Sequence, residues 1–152
     1  MSTPWPPADR DMLHWHTTAL RVPFSVCDPA GIVFFVQYLV FFQNLTDAWI
    51  TDQLGISYAE LLGPRQVGLP TVRLESDFRA ISRMGDDVTL AIAVERLGEK
   101  SVTLRFEVWG TDGVLRVAAR QVIVCTSLAT HGSMPLPDDL RTAIHRFMQE
   151  TS

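Results

Sequence analysis

The chain has 152 residues, of which 47% are hydrophobic and 20% charged, and its formal net charge at pH 7 is -4. This length and apolar content are typical of one globular domain with its own core. The acidic balance, with twelve Arg and one Lys scattered along the sequence, argues against nucleic acid as a partner. No apolar run reaches the roughly 18 residues of a membrane span, so we expect a cytoplasmic protein with no membrane partner.

The first half of the chain is predicted to hold one strand and one long helix. Residues 1–13 contain three Pro and are expected to form a flexible N-terminal tail, followed by a single domain over residues 14–152. Imperfect alternation predicts a strand over residues 15–26. Apolar residues at helical spacing predict a helix over residues 35–54, with Gly55 as its stop. Because the apolar stripe is wide, we expect neighbouring elements to cover this helix on most sides.

The second half changes to strand periodicity. Alternating apolar and polar residues predict four strands, and the short turns between them, which contain Gly or Asp, make them antiparallel neighbours. These strands are expected over residues 71–79, 86–95, 101–109 and 114–128, and a terminal helix over residues 135–148. One curved five-stranded antiparallel sheet wrapped around the long helix is the economical assembly, an α+β fold. Trp109, Val122 and Val124 make the other face of the sheet partly apolar, which indicates that oligomerisation covers it.

One acidic residue stands directly before the long helix, in the stretch CDPAGIVFF. Most Asp residues in such places only accept backbone N–H bonds in turns and caps, and Asp28 has this structural interpretation. The functional interpretation is that its carboxylate lies in a cleft beside the unpaired amides of the helix N-terminus, which could stabilise a developing oxyanion. The residues alone leave both interpretations open.

The stretch CDPAGIVFFVQY resembles the signature of the hotdog-fold 4-hydroxybenzoyl-CoA thioesterase family. The similarity continues through GLPTV, SDF, GDDV and GEKSV, and so covers roughly residues 17–126. The resemblance implies a hotdog fold and hydrolysis of an acyl-CoA thioester, with coenzyme A as part of the substrate and no other cofactor or metal. It also implies an active site between two subunits, and therefore a homodimer, with a homotetramer as the expected larger assembly.

The resemblance assigns roles to several residues. Asp28 corresponds to the catalytic carboxylate, which acts either as nucleophile on the thioester carbonyl or as general base for water. The backbone amide of Phe35 corresponds to the group that polarises the carbonyl, and Gly31 would permit close approach of the substrate. Relatives often have Tyr or His where this chain has Phe35, so only the backbone can serve there.

The substrate pocket is expected to contain aromatic residues near Asp28. Gln43 occupies the position of an acidic helix residue that recognises a phenol in the 4-hydroxybenzoyl enzyme, so a less polar aryl group or a medium-chain acyl group is favoured. The other expected pocket residues are Phe34, Tyr38, Phe42 and Thr71.

Coenzyme A is expected to contact basic side chains at the surface. Lys100 corresponds to a residue that contacts its phosphates. Gly98 and Glu99 stand where the 4-hydroxybenzoyl enzyme has Arg side chains for the nucleotide, and we expect Arg83 and Arg96 to compensate.

Several alternatives remain. Cys27 as a nucleophile lacks a nearby His to lower its pKa, and a structural Cys is the commoner state. Asp47 or Asp52 could be the catalytic acid of the other hotdog thioesterase lineage, but we expect both to face solvent or a partner subunit. A non-catalytic acyl-binding protein is one rival function. A hotdog hydratase or dehydratase is another, although those enzymes resemble sequences with a catalytic His, and the helix-entry loop contains none.

Overall fold

The computed structural model describes residues 9–150, which form one antiparallel five-stranded sheet around a helix. The strand order is β1-β4-β5-β6-β3. The strands are β1 (Trp15–Arg21), β2 (Val67–Gly68), β3 (Thr71–Phe78), β4 (Asp87–Leu97), β5 (Ser101–Gly110), β6 (Leu115–Val124) and β7 (Thr126–Ser127), with β2 and β7 paired separately. The helices are α1 (Phe35–Ala48), α2 (Tyr58–Leu62) and α3 (Asp138–Gln149). The predicted α+β hotdog fold is therefore confirmed.

The inner face of the sheet packs on α1 as the alternating pattern predicts. In β4 and β5 every second side chain is at most 5% exposed, namely Val88, Leu90, Ile92 and Val94, and Val102, Leu104, Phe106 and Val108. Phe42 of α1 stacks on Phe106 of β5, with ring centroids 4.7 Å apart. Each such burial contributes about 1.5–3 kcal/mol of hydrophobic stabilisation. The core therefore fixes α1 across the middle of the sheet.

Two predicted boundaries differ from the structure. Strand β1 stops at Arg21 instead of residue 26, because Pro23 has no N–H for the ladder, and Phe24–Val26 form a 3-10 turn. Helix α1 continues as a single π turn over Trp49–Gln53, which ends just before Gly55. The positive φ of +71° at Gly55 agrees with the predicted helix stop.

The expectation that α1 is covered on most sides is wrong for a single chain. Phe35, Val36 and Val40 are 54%, 39% and 45% exposed. Leu74 and Phe78 of β3 are also 41% and 47% exposed, because β3 is an edge strand. An apolar surface thus runs from the start of α1 to β3.

The outer face of the sheet is covered in part by the chain itself. The guanidinium of Arg10 lies 5.3 Å and 5.4 Å from the ring centres of Trp15 and Trp109. Of the predicted flexible tail, residues 1–8 lie outside the described residues, whereas Arg10–Met12 form a 3-10 turn. The tail and the domain boundary at residue 14 stay predictions. Within residues 9–150, no helix has the length and apolar character needed to cross a membrane.

Candidate active site

The sequence DPAG folds into a tight hairpin turn ahead of α1. The amide of Gly31 donates to the carbonyl of Asp28 and the amide of Asp28 donates to the carbonyl of Ile32, both at 2.9 Å. Cys27 and Val33 form an antiparallel bridge that closes the hairpin. Asp and Pro suit the first two positions of such a turn, and Gly31 adopts a left-handed φ of +77° that disfavours other residues. No atom lies within 4 Å of where a Cβ on Gly31 would be, so the turn borders open space.

The carboxylate of Asp28 is half-buried and is held by its own turn through one oxygen. Oδ1 accepts from the amides of Ala30 at 2.9 Å and Ile32 at 3.4 Å. Within residues 9–150, Oδ2 accepts no hydrogen bond. The structural interpretation of Asp28 is therefore correct for Oδ1, and Oδ2 remains available for chemistry.

The N-terminus of α1 is uncapped. Helix α1 begins at Phe35, and the side chain of the preceding Phe34 has no acceptor atom for the first amides. The amide of Phe34 donates to the carbonyl of Val26 at 3.1 Å, whereas in the described part of the chain the amides of Phe35 and Val36 have no acceptor. These amides lie at the positive end of a 14-residue helix dipole and can bind a negative charge.

A loop before β4 holds the Asp28 turn in place. The amide of Val33 donates to the carbonyl of Ser82 at 2.9 Å, and the amide of Met84 donates to the carbonyl of Gly31 at 3.0 Å. Ile32 forms an isolated bridge with Arg83. The backbone thus brings Arg83, whose side chain is exposed, next to the turn that carries Asp28.

An aromatic cavity of about 180 Å³ adjoins this turn and the start of α1. Phe78 of β3 packs on Phe35 and Tyr38, with ring centroids 5.9 Å away in both cases. Burial raises the pKa of the Tyr38 hydroxyl, and the nearby Ser82 hydroxyl and Arg116 oppose this shift. Asp28 itself is not in the lining, which is formed by Val33, Phe35, Tyr38, Phe78, Arg79, Ala80 and Ile81.

The sequence over residues 22–144 matches the thioesterase-like superfamily. The chain belongs to this family. A 1,4-dihydroxy-2-naphthoyl-CoA hydrolase of Synechococcus sp. (strain CC9311) is 30% identical over 138 residues, which cover 84% of this chain and 88% of that protein. The prediction of a thioester hydrolase is thus confirmed, while the narrower assignment to the 4-hydroxybenzoyl-CoA family stays a prediction.

Solved structures agree with the fold of this thioesterase. A thioesterase superfamily protein from Jannaschia sp. CCS1 has 28% sequence identity and a TM-score of 0.78, with coverage of 96% of this chain and 97% of that one. A 1,4-dihydroxy-2-naphthoyl-CoA thioesterase from Synechocystis has 23% identity and a TM-score of 0.79, with coverage of 86% and 96%. At that identity, the second likeness concerns the fold alone.

Several predicted pocket residues of the thioesterase lie elsewhere in the described chain. Phe42 belongs to the core, where it is 3% exposed, and Gln43 points to solvent. Thr71 starts β3, about 23 Å along the strand from Phe78, and its Oγ1 accepts from Gln121 at 2.6 Å. Phe34 lies outside the cavity lining, where it is 47% exposed and packs edge-to-face on Phe35.

The predicted coenzyme A contacts fall into two groups. Arg83 lies beside the Asp28 turn, whereas Arg96 lies near the far end of β4, about 26 Å along the strand from Val88. Arg96 lines a separate cleft on the outer face of the sheet, and Lys100 follows in the turn between β4 and β5. Within one chain, these residues do not converge on a single phosphate group.

Of the alternative candidates, Cys27 adjoins Asp28 in the hairpin, whereas Asp47 and Asp52 lie elsewhere on the long helix. The Sγ of Cys27 donates to the carbonyl of Pro23 at 3.5 Å. Asp47 is exposed, and Asp52 lines another cavity with His16. Among residues 9–150, no three His, Cys, Asp or Glu side chains are close enough to hold a metal ion.

Sequence reasoning missed Phe78 and Ile81 as cavity walls. Both come from β3 or the segment after it, more than 40 positions from Phe35, so no local pattern in the helix-entry segment identifies them. The signal that could have found Phe78 was its place on the apolar side of β3, at the end of the strand.

Proposed function

We propose that this thioesterase hydrolyses an aryl-CoA or medium-chain acyl-CoA with Asp28 as the essential group and without a metal or further cofactor. The observation that carries the proposal is that, within residues 9–150, Oδ2 of Asp28 and the amides of Phe35 and Val36 have no hydrogen-bond partner of their own. The Cys27–Val33 bridge holds these two features within one short segment. A carboxylate and an oxyanion site together are what acyl transfer requires.

Two routes use this arrangement. In the nucleophilic route, Oδ2 of Asp28 attacks the thioester carbon, the C–S bond breaks, and water then hydrolyses the mixed anhydride. In the general-base route, Asp28 takes a proton from water as the water oxygen attacks, and that proton passes to the departing thiolate. In both, the negative charge on the carbonyl oxygen develops at the amide of Phe35. A thiolate is weakly basic, so neither route needs a strong general acid.

The acyl group is proposed to be an aryl group. The ring edges and faces of Phe35, Tyr38 and Phe78 offer offset and edge-to-face contacts to a flat substituent. The Synechococcus relative named above, a 1,4-dihydroxy-2-naphthoyl-CoA hydrolase, supports the same choice. A medium-chain acyl group is the alternative, since the lining of the cavity is mainly apolar.

A homodimer is proposed to complete the site. In the described part of the chain, the outer edge of β3 pairs with no other strand, and Val72, Leu74 and Phe78 on that strand are 62%, 41% and 47% exposed. Together with Val36 and Val40 of α1, they form an apolar surface beside the cavity. A second copy on this surface would bury it and extend the sheet edge. A homotetramer stays a prediction.

In such a dimer, coenzyme A would contact both subunits. Arg83 would bind its phosphates from the subunit that supplies Asp28. Arg96 and Lys100 lie too far along β4 to do the same, so they are proposed to serve the site of the other subunit. Binding of CoA at the boundary between two subunits would explain why Arg83 lies far from Arg96 and Lys100 within one chain.

The decisive assay is the release of free thiol from a panel of CoA thioesters. Benzoyl-, 4-hydroxybenzoyl-, 1,4-dihydroxy-2-naphthoyl-, hexanoyl- and palmitoyl-CoA should be compared with the natural protein and with Asp28→Asn. We expect the highest kcat/KM for an aryl-CoA, and a loss of about 10²–10⁴-fold in the variant. Unchanged turnover in Asp28→Asn would remove this residue from the mechanism. Binding without turnover would favour the non-catalytic protein, and hydration of an enoyl-CoA would favour the hydratase.

A further inference from the structure

A second cavity, of about 390 Å³, lies between β1 and α1, at the edge of the sheet opposite to β3. Its apolar part is formed by Leu20, Phe41, Leu45 and Leu90, of which the last three are at most 8% exposed. Its polar part is formed by His16, Asn44, Asp52 and Gln53. The volume is within the range of small-molecule pockets, roughly 300–1,000 Å³, and a mainly apolar wall with a few polar groups is their usual composition.

The π turn at the end of α1 shapes this cavity. The amide of Leu54 donates to the carbonyl of Trp49 at 3.0 Å, five residues back. In an uninterrupted α-helix, Gln53 would point about 120° away from Phe41. A π turn rotates less per residue, so Gln53 stays on the side of the cavity beside Asp52. Single π turns occur frequently at functional sites.

The charges of the lining select one kind of ligand. Asp52 is the only carboxylate among the described lining residues, and none of those residues is Lys or Arg. Burial lowers the pKa of His16, the neighbouring His14 adds to this, and Asp52 opposes it, so the imidazole favours its neutral form. The negative charge of Asp52 repels a phosphate or carboxylate and attracts a cation. Neither coenzyme A nor a free acid product fits these charges.

We propose that this cavity is an accessory binding site for a small molecule with an apolar body and a cationic amino head. The body packs on Leu20, Phe41 and Leu45, and the head lies at Asp52 with the neighbouring Gln53 as a further hydrogen-bond partner. The site is separate from the Asp28 turn, and the inference does not depend on the proposed function.

Isothermal titration calorimetry tests the proposal. The full chain is titrated with two probes that share a phenylalkyl body and carry head groups of opposite charge. We expect 4-phenylbutylamine to bind at least about tenfold more tightly than 4-phenylbutanoate, which corresponds to about 1.4 kcal/mol. Asp52→Asn should remove most of this preference. The matched control is Asp47→Asn, which makes the same charge change at an exposed residue outside the cavity lining and should leave binding unaltered.

A cavity-filling variant provides the second readout. Ala48 is an exposed lining residue, so Ala48→Trp should fill the cavity without disturbing the core and should abolish binding of the amine. Thr18→Trp, on the opposite wall, replaces it if thermal melting shows that Ala48→Trp is unfolded. Equal affinity for the two probes, equal effects of Asp47→Asn and Asp52→Asn, or unaltered binding by the filled variants would overturn the proposal. A changed molar mass of Ala48→Trp in light scattering would also overturn it, by assigning this surface to a contact between copies.

Discussion

Arg10 and Glu107, 97 positions apart in the sequence, form a bidentate ion pair on the outer face of the sheet, with Arg10 Nε 3.0 Å from Glu107 Oε2. The side chain of Glu107 is 1% exposed and that of Arg10 is 28% exposed. Trp109 donates its Nε1 proton to the same carboxylate at 2.9 Å. The pair therefore ties residues at the beginning of the described chain to the centre of β5.

We expect Arg10→Ala to lower the free energy of unfolding by about 3 kcal/mol, because Glu107 would stay buried without its cation. Urea denaturation measures this loss. Arg21→Ala is the control: its ion pair with Asp87 is exposed on both sides, so removing it should cost at most about 1 kcal/mol. Equal losses for the two variants would contradict a special role for the Arg10–Glu107 pair.

Gly31→Ala should damage catalysis more than stability. An alanine in the left-handed conformation costs about 1–2 kcal/mol, and relaxation of the turn would move the carboxylate of Asp28. A shift of about 1 Å can reduce kcat by about 100-fold. Gly113→Ala is a matched control, since Gly113 has a φ of +79° with open space around it, in the turn between β5 and β6. Gly113→Ala should lower the free energy of unfolding by a similar amount and leave kcat unchanged. Equal losses of kcat in the two variants would show that the loss in Gly31→Ala does not come from a shift of the Asp28 turn.

Leu74→Asp should yield a protein with the molar mass of one chain and with little hydrolysis, because the charge would lie on the proposed subunit interface. Light scattering coupled to gel filtration gives the mass, and thiol release gives the activity. Thr17→Asp places the same charge on the opposite edge strand, β1, where no interface is proposed. A Leu74→Asp variant that keeps the mass of the natural protein would disprove the β3 interface.

Mixed dimers can locate the contribution of Lys100. If Lys100 serves the other subunit, a dimer of one Asp28→Asn chain and one Lys100→Ala chain contains one site with both groups intact. Co-expression with two different affinity tags isolates this species, and its KM should equal that of the natural protein at about half the kcat. If Lys100 serves its own subunit, the mixed dimer should show the raised KM of the Lys100→Ala protein.

The stability of the domain should fall as the pH drops below about 6.5, in part because of His16. Its pKa is lowered in the folded state, so the unfolded chain takes up a proton first, and acid therefore favours unfolding. His14 and Asp52 are the charged neighbours that modify this effect. Urea midpoints between pH 7.5 and 5.5 should decline less for His16→Gln than for the natural protein. Identical slopes would show that another group controls this range.

Local periodicity was enough to predict most of the fold. Strands β4 and β5 were found because their inner side chains alternate, and α1 because its apolar residues recur at helical spacing. The boundaries of helices and strands are harder to predict from the sequence. The π turn at Trp49–Gln53, for example, depends on packing against the rest of the chain. In that turn, Trp49 and Ile50 are both 1% exposed, and Trp49 packs on Phe147 of α3.

The arrangement of the candidate site was predictable only where its residues are neighbours in sequence. Asp28, Gly31 and Phe35 belong to one short motif, and the structure keeps them together. The approach of Phe78 to Tyr38 and the separation of Arg96 from Arg83 follow from sheet geometry, which no single segment encodes. The buried charges of the outer face were missed for a similar reason, because alternation alone marks Glu107 as exposed.

The uncapped start of α1 implies a compromise between robustness and reactivity. Phe34 occupies the N-cap position with an extended backbone that would suit Ser or Asp, and such a cap typically adds about 0.5–2 kcal/mol. The same cap would occupy the amides that are proposed to bind the thioester carbonyl. A search for thermostable variants would therefore select substitutions at Phe34, and the resulting enzyme would have a higher free energy of unfolding and a lower kcat.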